Sequence, residues 1–232
     1  MDELVKKLEN KIIVSVQAEG NEPLNKPEYL LALSQSVISG GAGGLRLCGV
    51  KNISFISKNV SVPVIGLTKL EPTPIHWLDS VYITPTLEDL KALLKTPVEF
   101  IAIDGTKRTR PDNSSLSDQI KLIKESGKKS VCDISTFEEG VKAIELGADL
   151  ISTTLSGYTK ETRYKANEGP DFDLLAELVD ESPAPVIMEG RIWEPQDVKK
   201  AFSIGAFTVV IGTAITRPHI ITRKFVSAAP IS

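Results

Sequence analysis

The chain is poor in the residues that announce most kinds of site chemistry. Its 232 residues include only two cysteines, two methionines, two tryptophans and two histidines, and aromatics make up 6%. Cys48 and Cys132 lie in or beside strand-like apolar runs, which points to buried thiols in a reducing compartment rather than a disulfide. His76 and His219 are far apart and have no carboxylates at ligand spacing, so neither a metal site nor a histidine-dependent triad is expected. The Gly-Lys-Ser/Thr phosphate loop is missing, and no Gly-x-Gly-x-x-Gly follows the first strand. No apolar run approaches the ~20 residues of a membrane span. Met1 to Lys11 alternates acids and lysines without the apolar core of a secretion signal, so the expected compartment is the cytoplasm. An excess of one charge is lacking too: 27 Lys and Arg against 30 Asp and Glu leave a net charge of −3. That balance excludes broad attraction to nucleic acid, and an anionic ligand has to be caught by local donors.

What is present is a repeating pattern. Strand-like runs bounded by turn residues recur at Ile12–Gln17, Gly44–Leu47, Val64–Lys69, Val81–Thr84, Glu99–Asp104, Ser130–Ile134, Leu150–Thr154, Val186–Glu189 and Thr208–Gly212. Helical patterns separate most of them. Thr136 with Glu139 forms a capping box ahead of an apolar face of Phe137, Val141 and Ile144, and Gly147 is placed to stop that helix. Leu87, Leu90 and Leu94 stripe another helix, and Pro195 suits the first turn of a third. Alternating strands and helices predict a parallel sheet covered by helices. Val81–Thr84 is the odd strand, because the segment before it, Leu70 to Ser80 with Pro72 and Pro74, has no room for a crossover helix. It is read as a flap near 70–86, and the remaining eight strands predict a (β/α)8 TIM barrel forming one domain over residues 1–232.

Active sites of such barrels gather at the C-terminal ends of the strands. In order, those ends carry Gln17, Arg46, Lys69, Asp104, Asp133, Thr153 with Thr154, Glu189 and then Gly212-Thr213. Each of these has a plain structural reading as a rim charge or loop cap. Their placement, one polar group per strand end, favours a shared cup. The tail adds a second signal. Val186-Ile187-Met188 opens into Glu189-Gly190-Arg191, Val209-Val210-Ile211 opens into Gly212-Thr213-Ala214, and the second glycine follows the first by 22 residues. Two glycine-bearing strand ends that feed helix starts offer backbone N–H groups to an anion, and the last two strand ends are where barrels commonly hold phosphate. An inventory of Lys, Glu, Asp, Arg and Gln suits proton abstraction beside a carbonyl, with cationic and amide donors stabilising the enolate.

The motifs also fall in the order of one family. Ser15-Val16-Gln17-Ala18, Gly44-Leu45-Arg46, Gly66-Leu67-Thr68-Lys69, Val81-Tyr82-Ile83-Thr84-Pro85-Thr86 and Asp133-Ile134-Ser135-Thr136 come first. Thr153-Thr154-Leu155-Ser156-Gly157-Tyr158-Thr159, Glu189-Gly190-Arg191 and Gly212-Thr213-Ala214-Ile215-Thr216-Arg217-Pro218 follow. Through these the chain resembles the N-acetylmannosamine-6-phosphate 2-epimerase family of bacterial sialic acid breakdown, over roughly residues 5 to 225. Val16 stands where cysteine is common, Gly105 where alanine is common, and Leu70 to Ser80 diverges.

The resemblance implies interconversion of N-acetylmannosamine 6-phosphate and N-acetylglucosamine 6-phosphate at C2, without metal or organic cofactor. It makes Lys69 and Glu189 the catalytic pair, with Lys69 as the base. A lysine serves as base only as the neutral amine, a form favoured by apolar walls and by a cationic neighbour such as Arg46. Arg46 and Gln17 are expected on the C1 oxygen and the N-acetyl group, and Asp133 and Tyr158 on sugar hydroxyls. Asp104, Thr153 and Thr154 complete the substrate-binding set. Gly190, Arg191, Gly212 and Thr213 would cradle the phosphate through backbone amides, and Arg217 would grip it bidentately. A homodimer is the expected assembly, with no nucleic-acid or membrane partner. Two rivals make different demands on the sequence. Another phosphate-handling barrel isomerase, such as one acting on a phosphoribosyl intermediate, would want facing aspartates, and a barrel kept only as a binding module would have lost the acid–base pair.

Overall fold

The computed structural model describes residues 2–230. Its strands are β1 (Ile12–Val16), β2 (Gly44–Cys48), β3 (Val64–Leu67), β4 (Phe100–Asp104), β5 (Lys129–Asp133), β6 (Leu150–Ser152), β7 (Val186–Glu189) and β8 (Thr208–Ile211). Each pairs in parallel with the next, and β8 returns to β1, so the barrel closes. The (β/α)8 architecture read from the sequence is therefore the observed one.

Helices α1 (Glu3–Lys6), α2 (Pro27–Ser39), α3 (Val50–Ile56), α4 (Leu87–Leu94), α5 (Leu116–Glu125), α6 (Phe137–Glu145), α7 (Phe172–Glu181), α8 (Pro195–Ile204), α9 (Thr213–Thr216) and α10 (Pro218–Val226) precede, separate and follow the strands. The capping box at Thr136 and Glu139 is formed at the start of α6. Pro195 occupies the first turn of α8, which ends at Gly205 in the left-handed conformation. Among the described residues, no helix is long and apolar enough to cross a membrane.

Alternation along the strands divides the apolar residues into two layers. Ile13, Ile65, Leu67, Phe100, Ala102, Val131, Leu150, Ile187 and Val210 share one buried cluster inside the barrel, which Val5 and Leu8 join from the N-terminal segment. Their strand neighbours, among them Val14, Leu45, Leu47, Ile101, Ile103, Cys132, Ile151, Met188 and Val209, pack outward with residues of the helices, such as Ile53, Leu90, Leu93, Ile120, Ile123, Leu174 and Leu178. Each fully buried aliphatic side chain contributes ~1.5–3 kcal/mol. By the same alternation, Ser15, Arg46, Asp104, Asp133 and Glu189 share the inward register at the C-terminal end, above that apolar plug.

The flap is a return loop. Lys69 and Ile83 form an isolated antiparallel bridge; the Leu70 N–H donates to the Tyr82 carbonyl, and the Thr84 N–H to that of Thr68. Val81–Thr84 thus pairs back on the chain leaving β3 instead of entering the barrel. Five strands also end one or two residues before their expected limits, so Gln17, Lys69, Ile134, Thr154 and Gly212 lie just past the ladder. Several of these positions bear the site, since leaving the ladder frees backbone and side chain to turn into the cup.

Candidate active site

A cavity of about 360 Å³ opens at the C-terminal mouth of the barrel. Ser15, Gln17, Arg46, Lys69, Thr154 and Glu189 line its inner part, and Gly190, Arg191, Gly212, Thr213 and Arg217 line it from the last two strand ends. Tyr82, Tyr158 and Trp193 add aromatic wall. Lys69 and Glu189, placed together by the sequence, therefore face one chamber. Asp104, Asp133 and Thr153 lie behind its lining.

The floor is an ion cluster. Arg46 is 1% exposed, and its guanidinium grips Asp133 twice, at 2.6 and 3.1 Å. The same group reaches Glu189 at 3.1 Å. Burial works against the charge of Arg46, but the carboxylates of Asp133 and Glu189 outweigh it and push its pKa up. One cation thus serves two carboxylates, and burial, aided by Asp133, pushes the Glu189 carboxyl above its ordinary range despite Arg46. The Thr154 hydroxyl lies 2.7 Å from Asp133 and 3.2 Å from Glu189. It has a single proton, so with that proton on Asp133 a protonated Glu189 can donate to Thr154 in turn. The cluster therefore favours a Glu189 that can carry a proton at the chamber wall.

Thr153 works from behind. Its hydroxyl donates to the Glu189 carbonyl at 2.9 Å and accepts from the Glu189 N–H at 3.1 Å, clamping the backbone that aims the carboxylate. Asp104 is fully buried and ion-paired with Arg108 at 2.7 Å, with Thr106 on its other oxygen. Burial pushes the Asp104 carboxyl up, against the pull of Arg108. Arg108 also donates to the Trp77 and Leu78 carbonyls at 3.2 and 3.3 Å, so Asp104 ties the flap to β4.

Gln17 is buried and donates to Ser15 at 2.9 Å, while its side-chain oxygen has no partner among the described residues. Gln17 thus lines the cavity with a buried acceptor left without a hydrogen bond. The sequence reading gave Lys69 apolar and cationic neighbours; its direct partner is instead Glu19, a loop carboxylate at 2.7 Å. Burial pushes the Cys48 thiol up to about 11, so it stays protonated near neutral pH and is no nucleophile.

The rim differs from its flanks in backbone. Gly190 has φ +116° and Arg191 φ +56°, so the chain after β7 turns through two left-handed residues, the first of which needs glycine. None of the Gly190, Arg191, Gly212 and Thr213 N–H groups donates to a turn or loop acceptor among the described residues. The Arg191 side chain is committed elsewhere, to the Gly169 carbonyl at 2.7 Å and to the Ser156 carbonyl. Only its backbone is free for an anion. Arg217 is held by Glu22 and, at 3.3 Å, by Glu19.

Sequence reasoning missed Ser15, Tyr82, Trp193, Glu19 and Glu22. Ser15 was findable, as it precedes Gln17 by two on the same face of β1. The loop acids carried no periodic signal. Among the described residues, no group of three or more His, Cys, Asp or Glu side chains is placed to hold a metal ion.

Fold and site together define a (β/α)8 barrel with a lysine and a glutamate facing one cup and free backbone amides on its last two strand ends. Comparison with known proteins agrees. The family described as "Putative N-acetylmannosamine-6-phosphate epimerase" (NanE) matches residues 30–230, and the chain belongs to that family. A Clostridioides difficile relative named "Putative N-acetylmannosamine-6-phosphate 2-epimerase" is 46% identical over 230 residues, 99% of this chain and 100% of its own length. A relative of the same name from Caldanaerobacter subterraneus is 44% identical, over 97% of this chain and 93% of its own. The solved N-acetylmannosamine-6-phosphate 2-epimerase of Clostridium perfringens superposes with a TM-score of 0.91 at 39% identity, covering 98% of this chain and 97% of that one. Thiamine phosphate pyrophosphorylase of Pyrococcus furiosus, at 14% identity and a TM-score of 0.60, shares the fold alone.

Proposed function

We propose that the chain epimerises N-acetylmannosamine 6-phosphate and N-acetylglucosamine 6-phosphate at C2, without a cofactor. The observation that carries this reading is one shared cavity, with Lys69, Glu189, Arg46 and Gln17 on its wall together with the Gly190 and Gly212 strand ends and Arg217. Its volume of about 360 Å³ suits one sugar phosphate.

In the open-chain sugar the C1 aldehyde acidifies the C2 proton. Glu189, whose carboxyl burial pushes up, serves ring opening as a proton relay. Lys69 removes the C2 proton, and the enolate charge falls toward the buried Arg46 guanidinium. Returning a proton to the other face of the planar C2 inverts it. The Gln17 side chain meets the N-acetyl group, and Tyr158 and the Thr154 end of the floor network meet sugar hydroxyls. Asp104, Asp133 and Thr153 act from behind, through Arg108, Arg46 and the Glu189 backbone. The Gly190, Arg191, Gly212 and Thr213 amides and the Arg217 guanidinium take the phosphate.

The same reading carries a cytoplasmic homodimer without nucleic-acid partners. Supporting it are the net charge of −3 and the Phe225 and Val226 side chains that α10 leaves exposed. Incubating N-acetylmannosamine 6-phosphate with the enzyme alone and following the anomeric NMR signals tests the activity. Appearance of N-acetylglucosamine 6-phosphate is expected, and an unchanged spectrum would overturn the assignment.

A further inference from the structure

Cations and carboxylates alternate along a chain that leads from the phosphate end of the cavity to the base. Glu19 Oε1 lies 2.7 Å from Lys69 Nζ and 3.3 Å from Arg217 Nη2, while the other guanidinium nitrogen of Arg217 is paired with Glu22. Both acids sit on the loop after β1, which is drawn into a turn by the Glu22 N–H donating to the Glu19 carbonyl at 3.1 Å. One carboxylate oxygen therefore holds the lysine that must become a base and the arginine that must reach the phosphate.

We propose that Glu19 is a positioning residue that couples phosphate capture to the freeing of Lys69 as a base. The inference rests on the epimerase reading above. Before substrate binds, both ends of the Arg217 guanidinium are taken by carboxylates, so a phosphate dianion engages Arg217 only by displacing them. The dianion carries more charge than either acid and wins the bidentate contact. Glu19 then loses one of its two cationic partners. Those partners hold its carboxyl below the usual range against the opposing effect of burial, so losing Arg217 makes it more basic. Other charged groups near the pair are Glu189, Arg46 and Glu71, and the Cys48 thiol beside it is neutral.

The proton count closes. With Arg217 on the phosphate, the Lys69 ammonium passes one proton to the Glu19 carboxylate and becomes the free amine. The amine takes the C2 proton, and the C–H electron pair enters the enolate. A water protonates C2 on its other face, and the hydroxide left behind takes the C2 proton from the Lys69 ammonium, so the amine is free again when product phosphate leaves and Arg217 returns. Glu19 then gives its proton back to Lys69. Without a phosphate the lysine stays paired as the ammonium, so an unphosphorylated sugar is handicapped in turnover as well as in binding.

The test supplies the phosphate in pieces. Wild-type enzyme is assayed on unphosphorylated N-acetylmannosamine with and without inorganic phosphate, and the kcat for N-acetylmannosamine 6-phosphate is measured alongside. Added phosphate is expected to raise turnover of the bare sugar about tenfold, a change of one decade in rate. In Glu19→Gln that activation should vanish, while Glu22→Gln should keep it at a lower phosphate concentration. A second measurement needs neither variant nor sugar: only the neutral amine is acetylated by acetic anhydride, and mass spectrometry reads the label at Lys69. Inorganic phosphate should speed labelling of Lys69 in the wild type. Phosphate that leaves both rates unchanged, or that activates Glu19→Gln as it does the wild type, overturns the coupling. Inactivity of the wild type on N-acetylmannosamine 6-phosphate instead overturns the underlying epimerase reading, and the labelling rate then decides the Glu19 link by itself.

Discussion

Replacing Asp133 by asparagine tests the buried floor most sharply, because the change keeps the shape and removes one charge. Arg46 and Asp133 are 1% and 0% exposed, and their two contacts measure 2.6 and 3.1 Å. In Asp133→Asn the guanidinium keeps only Glu189, at 3.1 Å, as a carboxylate partner. Removing one member of a buried ion pair costs about 3–5 kcal/mol. Asparagine retains an oxygen that can accept from Arg46, so the lower figure applies. At about 2–4 °C per kcal/mol for a chain of this size, Tm should drop by about 6–12 °C. A second effect accompanies the first. The charge of Asp133 helps to raise the Glu189 carboxyl, so without it Glu189 titrates lower and the limb of the kcat profile that follows Glu189 moves to lower pH. Thermal melts by circular dichroism and a pH–rate series read both effects. A melt within about 2 °C of wild type would refute the claim that Arg46 depends on Asp133 for its charge balance.

Two further changes probe other parts of the site. The Glu189 carboxyl is raised above its ordinary 4.5, so between that value and its folded-state pKa the folded protein binds more protons than the unfolded chain, and stability falls as pH rises through the window. The Tm of Glu189→Gln minus that of wild type should therefore grow as pH rises from 4.5, and a difference that shrinks would show the carboxyl to be lowered instead. Gly157 has φ +82°, and an added Cβ would lie 2.6 Å from Arg191 Nη1 and 3.1 Å from the Ala166 backbone. Gly157→Ala should cost about 1–2 kcal/mol of left-handed strain alone and raise KM for the sugar phosphate by displacing the Arg191 turn, with wild-type Tm and KM as the contrary result.

The barrel was legible because its signals are periodic. Apolar runs marked the strands, the Thr136–Glu139 capping box and Gly147 marked helix ends, and the missing helix before Val81 exposed the flap. Lys69, Glu189, Gln17 and Arg46 were legible as polar groups ending apolar strands. Depth was not: strand-end position alone does not separate Asp133, which steadies Arg46 from below, from Glu189, which reaches the chamber. Nor was the partner of Lys69, since Glu19 lies in a loop and meets the lysine 50 residues on only through closure of the fold.

The central claim is that an amine at position 69 removes the proton from C2. Epimerisation in deuterium oxide measures this directly, with NMR reading the isotope at C2 of product and recovered substrate. Wild-type enzyme should yield product bearing deuterium at C2, and Lys69→Ala should lose both epimerisation and exchange while keeping its fold. Product that retains its original C2 hydrogen, or exchange by Lys69→Ala at the wild-type rate, would contradict the account.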